Sequence, residues 1–162
     1  MSLIDHIAWA ETKHIDAMLP LMLALYADDP TVGHQPTEDS AAQHLQVLLT
    51  PSTPHRLAVA FDQDGAAIGL AAIGFFTSIN ESHPDRRKQI ELKELFVLPA
   101  LRSGGVGLAL MKWVEDQARS TGVHRIDWHV KAANTRGIDF YQRLGGGVVT
   151  DRLSMRKVLH RD

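Results

Sequence analysis

The chain has 162 residues, 44% of them hydrophobic and 22% charged, which is the length of one domain and enough to bury about 70% of its unfolded surface without a disulfide or metal. Its 17 Lys and Arg against 19 Asp and Glu give a net charge of -2, so the basic excess that marks a nucleic-acid partner is missing. It contains no cysteine, which excludes disulfides, Cys-ligated zinc or iron–sulfur sites and a cysteine nucleophile.

The first residues, Met-Ser-Leu-Ile-Asp-His, lack the basic start and apolar run of a targeting segment. The longest apolar stretch, residues 66–76, contains Gly69 and Gly74 and is well short of the ~20 residues that span a membrane. The expectation is a soluble cytoplasmic protein with no membrane partner.

Residues 3–10 read as a short first strand. Thr12 can cap a helix that carries Ile15, Met18, Leu19, Met22 and Leu25 on one face. Pro20 predicts a kink or a short first turn there. Residues 28–36 are loop. Thr37 looks like the cap of a second helix with Ala41, Leu45 and Leu48 inward, ended by residues 51–54. Residues 57–61 and 66–76 form a hairpin around the turn Asp62-Gln63-Asp64-Gly65. A polar loop, residues 77–88, leads to a strand over 90–98, ended by Pro99.

The second half begins with a helix carrying Val106, Leu110, Trp113, Gln117 and Ala118, opposite Lys112, Glu115, Asp116 and Arg119. Gly122 is its stop. Residues 123–131 alternate as a strand, with Ile126, Trp128 and Val130 on one face. Asn134 can cap a short helix with Gly137, Phe140, Tyr141 and Leu144 on one side. Residues 148–158 read as a last strand. The order β-α-α-β-β-β-α-β-α-β indicates an α/β domain with a mixed sheet. No repeat or domain-scale linker divides residues 1–162.

The informative stretch is residues 95–110, Leu-Phe-Val-Leu-Pro-Ala-Leu-Arg-Ser-Gly-Gly-Val-Gly-Leu-Ala-Leu. A strand ends, and a glycine-rich turn opens directly into a helix. The unpaired N–H groups of a first helical turn, at the positive end of the dipole, suit a phosphate. Arg102 adds a permanent positive charge. On the glycines alone, an ordinary strand-to-helix turn is an equal reading. A P-loop would need Gly-Lys-Ser/Thr, which is absent. A dinucleotide fingerprint would need a third glycine where Leu110 stands. Asp127 lies inside its strand rather than at the strand end where a ribose acid sits.

Arg102-x-x-Gly105-x-Gly107, after Val97 and Pro99, resembles motif A of the GCN5-related N-acetyltransferases (GNAT). Residues 134–145, Asn-Thr-Arg-Gly-Ile-Asp-Phe-Tyr-Gln-Arg-Leu-Gly, resemble their motif B. The likeness is clear over residues 92–146. It implies a GNAT-type single domain, with a mixed, mostly antiparallel central sheet, splayed strands and flanking helices. It implies acetyl-CoA as co-substrate, with pantetheine along Leu95, Phe96 and Val97. The pyrophosphate would rest on backbone N–H groups of Ser103, Gly104, Gly105, Val106, Gly107 and Leu108. Asn134 would help hold the cofactor arm, and Tyr141 would sit near the sulfur.

The implied reaction is acetyl transfer to a primary amine of a small molecule, with protein lysine as a further acceptor class. The amine must first lose a proton, which a carboxylate can remove directly or through water. Glu91 and Glu94 are equal candidates. On a regular strand Glu91 shares a face with Lys93 while Glu94 points the other way, unless a bulge resets the alternation. Lys93 departs from the acid or histidine the family often carries. Gly146 and Gly147 stand where an aromatic is usual, and Gly137 replaces a more frequent alanine. Tyr26, Asp28 and Asp29, after the first helix, could attract a cationic acceptor or be plain surface groups. Arg86, Arg87 and Lys88 read mainly as a solvated loop. Nine histidines form no His-Glu-x-x-His, and His124 and His129 face opposite sides of a strand, so no metal is expected. A non-catalytic acyl-CoA sensing domain is the alternative function, and a homodimer is the expected assembly.

Overall fold

The computed structural model describes residues 2–28 and 35–159. It contains two compact units, Met1–Trp128 and His129–Asp162. The first unit holds β1 (His6–Trp9), α1 (Ile15–Asp28), α2 (Glu38–Leu48), β2 (His55–Phe61), β3 (Ala67–Thr77), β4 (Lys88–Val97), α3 (Val106–Ser120) and β5 (Arg125–Trp128). The second holds α4 (Thr135–Arg143).

The caps follow side-chain chemistry. Ser40 N–H donates to Thr37 Oγ1 at 3.2 Å, and Thr37 N–H donates to Ser40 Oγ at 2.8 Å, so α2 starts where expected. The expected cap at Thr12 is corrected. Thr12–His14 form a 3-10 turn that begins at Glu11, whose N–H donates to the His14 ring at 3.0 Å. α1 follows directly and runs through Pro20 without ending. At the hairpin, Asp62 Oδ1 accepts from the N–H groups of Asp64 and Ala66, at 3.0 and 2.9 Å.

The five strands lie in the order β1-β2-β3-β4-β5. The first four pair antiparallel and β5 joins β4 parallel. This is an α/β fold with a mixed, mostly antiparallel sheet. The sheet has two apolar faces, as the period of two requires. On one, Leu57, Val59, Phe61, Leu70 and Phe96 pack with Met18, Leu21 and Met22 of α1 and Leu45 of α2. On the other, α3 packs against β2, β3 and β4 and buries Val106, Leu110, Met111 and Val114. Trp9 meets Trp113 of α3 edge-on at 4.7 Å.

The last expected strand is corrected. Residues 148–159 carry no regular secondary structure, and Leu153 and Met155 are 90% and 92% exposed. Val148, Val149, Leu153, Met155 and Val158 stand among polar residues without strict alternation. A strand also needs a paired ladder, and among the described residues this segment makes none.

Candidate functional site

β4 carries the site because its two edges are used unequally. β3 pairs with it from Lys88 to Val97, but β5 pairs with it only from Gln89 to Leu92. Beyond Leu92 the β5-side edge of β4 is open within the first unit. Leu98 N–H donates to Ile68 O at 3.1 Å, on the β3 side. Strand alternation therefore turns the main-chain groups of Phe96 toward β3 and those of Leu95 and Val97 toward the open edge. Leu95 and Val97 thus present a short row of edge groups.

The register slips beside this edge. Ala72 pairs with Glu94 and Ile73 with Leu92, so Lys93 is the extra residue of a bulge. Gly74 pairs with Glu91. Since Ala72 and Gly74 share a face, Glu91 and Glu94 share it too. That face is the one on which Ala72 and Phe96 pack toward α1 and α2. The regular-strand expectation, with the two glutamates on opposite faces, is corrected by the bulge. Lys93 Nζ lies 3.1 Å from Glu91 Oε1. Asp127 pairs in register with Glu91 and lies 2.8 Å from Arg125 Nε.

After β4, Pro99–Leu101 make one 3-10 turn. Ser103 and Gly105 take positive φ, 67° and 87°. The second reversal is strained for any residue with a Cβ and aims the chain into α3. Gly105 is the N-cap and offers no side chain. The first-turn N–H groups of Val106, Gly107 and Leu108 therefore meet no capping side chain. The Gly104 N–H already donates to Leu101 O at 3.2 Å. Gly69 of β3 lets α3 sit close: a Cβ there would stand 3.0 Å from Val106 and 3.2 Å from Phe96 O.

Arg102 points sideways from this turn. Its Nε donates to Val97 O at 3.1 Å, its Nη2 lies 3.2 Å from Asp28 Oδ2, and its guanidinium stands 5.3 Å from the Phe96 ring centroid. Tyr26, also near the end of α1, makes a 2.6 Å hydrogen bond with His44 of α2. Burial pushes the Tyr26 phenol above its usual range. Two of the three groups considered for a cationic acceptor are thus engaged by protein partners, and Asp29 lies outside the described residues. Of the basic run, Arg86 pairs with Glu81 at 3.3 Å and Lys88 donates to Thr121 O at 3.0 Å. No sequence signal points to the Arg102–Asp28 pair, whose members lie 74 positions apart.

In the second unit, Asn134 caps α4: its Oδ1 accepts from Gly137 N–H at 3.0 Å. A Cβ at residue 137 would stand 2.6 Å from Asn134 Nδ2, so glycine leaves room for the cap in this rotamer. Phe140 and Tyr141 meet edge-on at 5.2 Å. Among the described residues no three His, Asp or Glu side chains gather as a metal site, and no helix is long and apolar enough to cross a membrane.

The model of the acetyltransferase (GNAT) family matches residues 19–146. The chain is 29% identical over 136 residues to a mycothiol acetyltransferase of Propionibacterium freudenreichii, covering 84% of this chain but only 41% of that relative's length. It is 26% identical to an aminoalkylphosphonate N-acetyltransferase of Salmonella typhimurium, over 84% of this chain and 80% of that one. Its fold superposes on the aminoglycoside N-acetyltransferase AAC(6')-Iy, solved in complex with CoA, with a TM-score of 0.68. That match has 22% identity and covers 97% of this chain and 93% of the other. With the family's pattern spanning most of its length, and a half-open strand leading into a glycine turn and helix, the chain belongs to the GNAT acetyltransferase family.

Proposed function

We propose that the chain is an acetyl-CoA-dependent N-acetyltransferase acting on the primary amine of a small molecule. The open edge of β4 carries the reading, because it leads through the turn at residues 98–105 to the N-terminus of α3. Pantetheine amides can extend the sheet there by pairing with Leu95 and Val97, as an added strand would. The pyrophosphate follows onto the N–H groups of Ser103 and Gly105 through Leu108, where the helix dipole favours an anion. A small-molecule acceptor is favoured by the aminoalkylphosphonate-acetylating relative, which matches most of both chains.

The mechanism needs no acyl-enzyme. Glu91 or Glu94, directly or through water, takes a proton from the acceptor ammonium. The free amine attacks the thioester carbon. As the tetrahedral carbon collapses, the attacking nitrogen gives up its second proton to solvent, the C–S bond breaks and the thiolate takes a proton or hydrogen bond from the Tyr141 hydroxyl, which regains any donated proton from solvent. Asn134, at the N-cap of α4, serves the cofactor arm.

Thiol release from acetyl-CoA tests the reading, with an aminoalkylphosphonate, an aminoglycoside, spermidine, an amino sugar and a lysine peptide as acceptors. The expected result is release that depends on one of the small amines. Release only with the peptide would move the acceptor class. CoA binding without release on a broad panel would leave a sensing domain.

A further inference from the structure

The Arg of motif A is expected to lie on phosphate, yet here its fork is turned the other way. Three contacts hold the Arg102 guanidinium: the Val97 carbonyl at 3.1 Å, the Asp28 carboxylate at 3.2 Å and the Phe96 ring face. Its side chain is only 33% exposed. Val97 O belongs to the row of groups on the open edge of β4. Asp28 is the last residue of α1. A carboxylate is unfavourable at that end of a helix dipole, and the last turn of α1 supplies no basic residue of its own. Arg102 supplies that charge from 74 positions away.

We propose that Arg102 is a positioning residue which ties the open end of β4 to the last turn of α1, rather than a ligand of the pyrophosphate. This rests on the acetyltransferase reading above. Its Nε occupies the Val97 carbonyl and so closes the exposed row at one place. The groups left to pantetheine on that edge are the N–H and C=O of Leu95 and the N–H of Val97. Its Nη2 fixes the end of α1 beside the face that carries Glu91 and Glu94. Guanidinium geometry suits this double duty, since one planar fork can serve a carbonyl and a carboxylate at once. An ammonium at this position could hold either partner, but its single nitrogen cannot span both with the same geometry. The pyrophosphate is left to main-chain N–H groups, which the turn supplies without any side chain.

The test is a set of four variants: Asp28→Asn, Arg102→Gln, Arg102→Lys and the double variant Asp28→Asn/Arg102→Gln. CoA affinity is read by calorimetry, and acceptor KM at saturating acetyl-CoA with the best amine of the panel above. We expect CoA affinity within about threefold of the parent in every variant. Acceptor KM should rise at least fivefold in Arg102→Gln and Asp28→Asn. The double variant should be no worse than Arg102→Gln alone, because both changes break one tie. Arg102→Lys should recover part of the loss. A tenfold or larger loss of CoA affinity in Arg102→Gln, with Asp28→Asn unaffected, would overturn the proposal and return the arginine to the phosphate. An acceptor KM unchanged in both single variants would also overturn it. A parent chain that fails to bind CoA would instead overturn the acetyltransferase reading, and this inference with it. For a variant that does not fold, the Asp28→Asn chain alone decides, because that change removes charge from one exposed carboxylate.

Discussion

At the scale of single residues, the proposed chemistry turns on three side chains and where protons go. Tyr141→Phe keeps the ring and its edge contact with Phe140 and removes only the hydroxyl. If that hydroxyl assists the leaving thiolate, kcat falls by roughly 10²–10⁴-fold while CoA affinity holds, as for loss of a general acid. Steady-state kinetics check this, and a kcat within about twofold of the parent, with chemistry rate-limiting, would make Tyr141 a packing residue. The two glutamates divide in the same way. The bulge at Lys93 puts both on one face, so strand geometry does not choose between them. Glu91→Gln and Glu94→Gln are each expected to fold. The base is the one whose loss costs at least tenfold in kcat/KM and removes the low-pH limb of the rate profile. Small, equal losses in both would assign the proton to water. Lys93 matters to the outcome because its ammonium lies 3.1 Å from Glu91. Removing the carboxylate frees a charge that can also contact the acceptor, so Lys93→Met is the control.

At the scale of elements, the site depends on how closely α3 seats on the sheet. Gly69 sets that distance. A side chain there would press on Val106 and Leu110 of α3, and on the Phe96 carbonyl of β4. Gly69→Val is therefore expected to destabilise the chain by ~1–3 kcal/mol, the usual cost of overpacking. It should also weaken CoA binding, because it displaces the N-terminus of α3 from the end of β4. Thermal melting and calorimetry read the two effects. Full CoA affinity in a destabilised variant would separate α3 seating from the site. Much of this layer was legible from residues alone. Thr37, Asn134 and Gly105 carry their element boundaries in side-chain chemistry or in the lack of it. The spacing of Val106, Leu110 and Ala118 carries the buried face of α3, which Met111 and Val114 complete. What the sequence hid was relational. The bulge at Lys93 exists only in the register between β3 and β4, which no pattern along β4 alone encodes. Thr12 has the right chemistry for a cap, yet Glu11 and His14 close the turn one residue earlier. Residues 148–158 carry the valines and other apolar residues of a strand without its ladder. The tie between Arg102 and Asp28 joins two segments that share no motif.

At the scale of the whole molecule, the question is whether the second unit is a domain of its own. Among its described residues none is fully buried, and its one helix has nine residues. An isolated helix shorter than ~12–15 residues is marginal in water. A unit below ~40 residues with no disulfide or metal lacks the core to fold alone. The peptide 129–162 is therefore expected to give a disordered circular dichroism spectrum, and the full chain one cooperative calorimetric transition. Acetyl-CoA binding must then act on that single transition. A ligand at 100 times its Kd adds about 2.7 kcal/mol to the stability of the folded state. For a chain of 162 residues, 1 kcal/mol moves Tm by roughly 2–4 °C, so saturating CoA should raise the midpoint by about 5–11 °C. NAD at the same concentration should leave it unmoved, since Leu110 stands where a dinucleotide fingerprint needs glycine. Two resolved transitions, with CoA shifting only the first, would show that residues 129–162 fold apart from the cofactor site. That result would remove Tyr141 and Asn134 from the chemistry and leave the acetyl transfer to the face of β4.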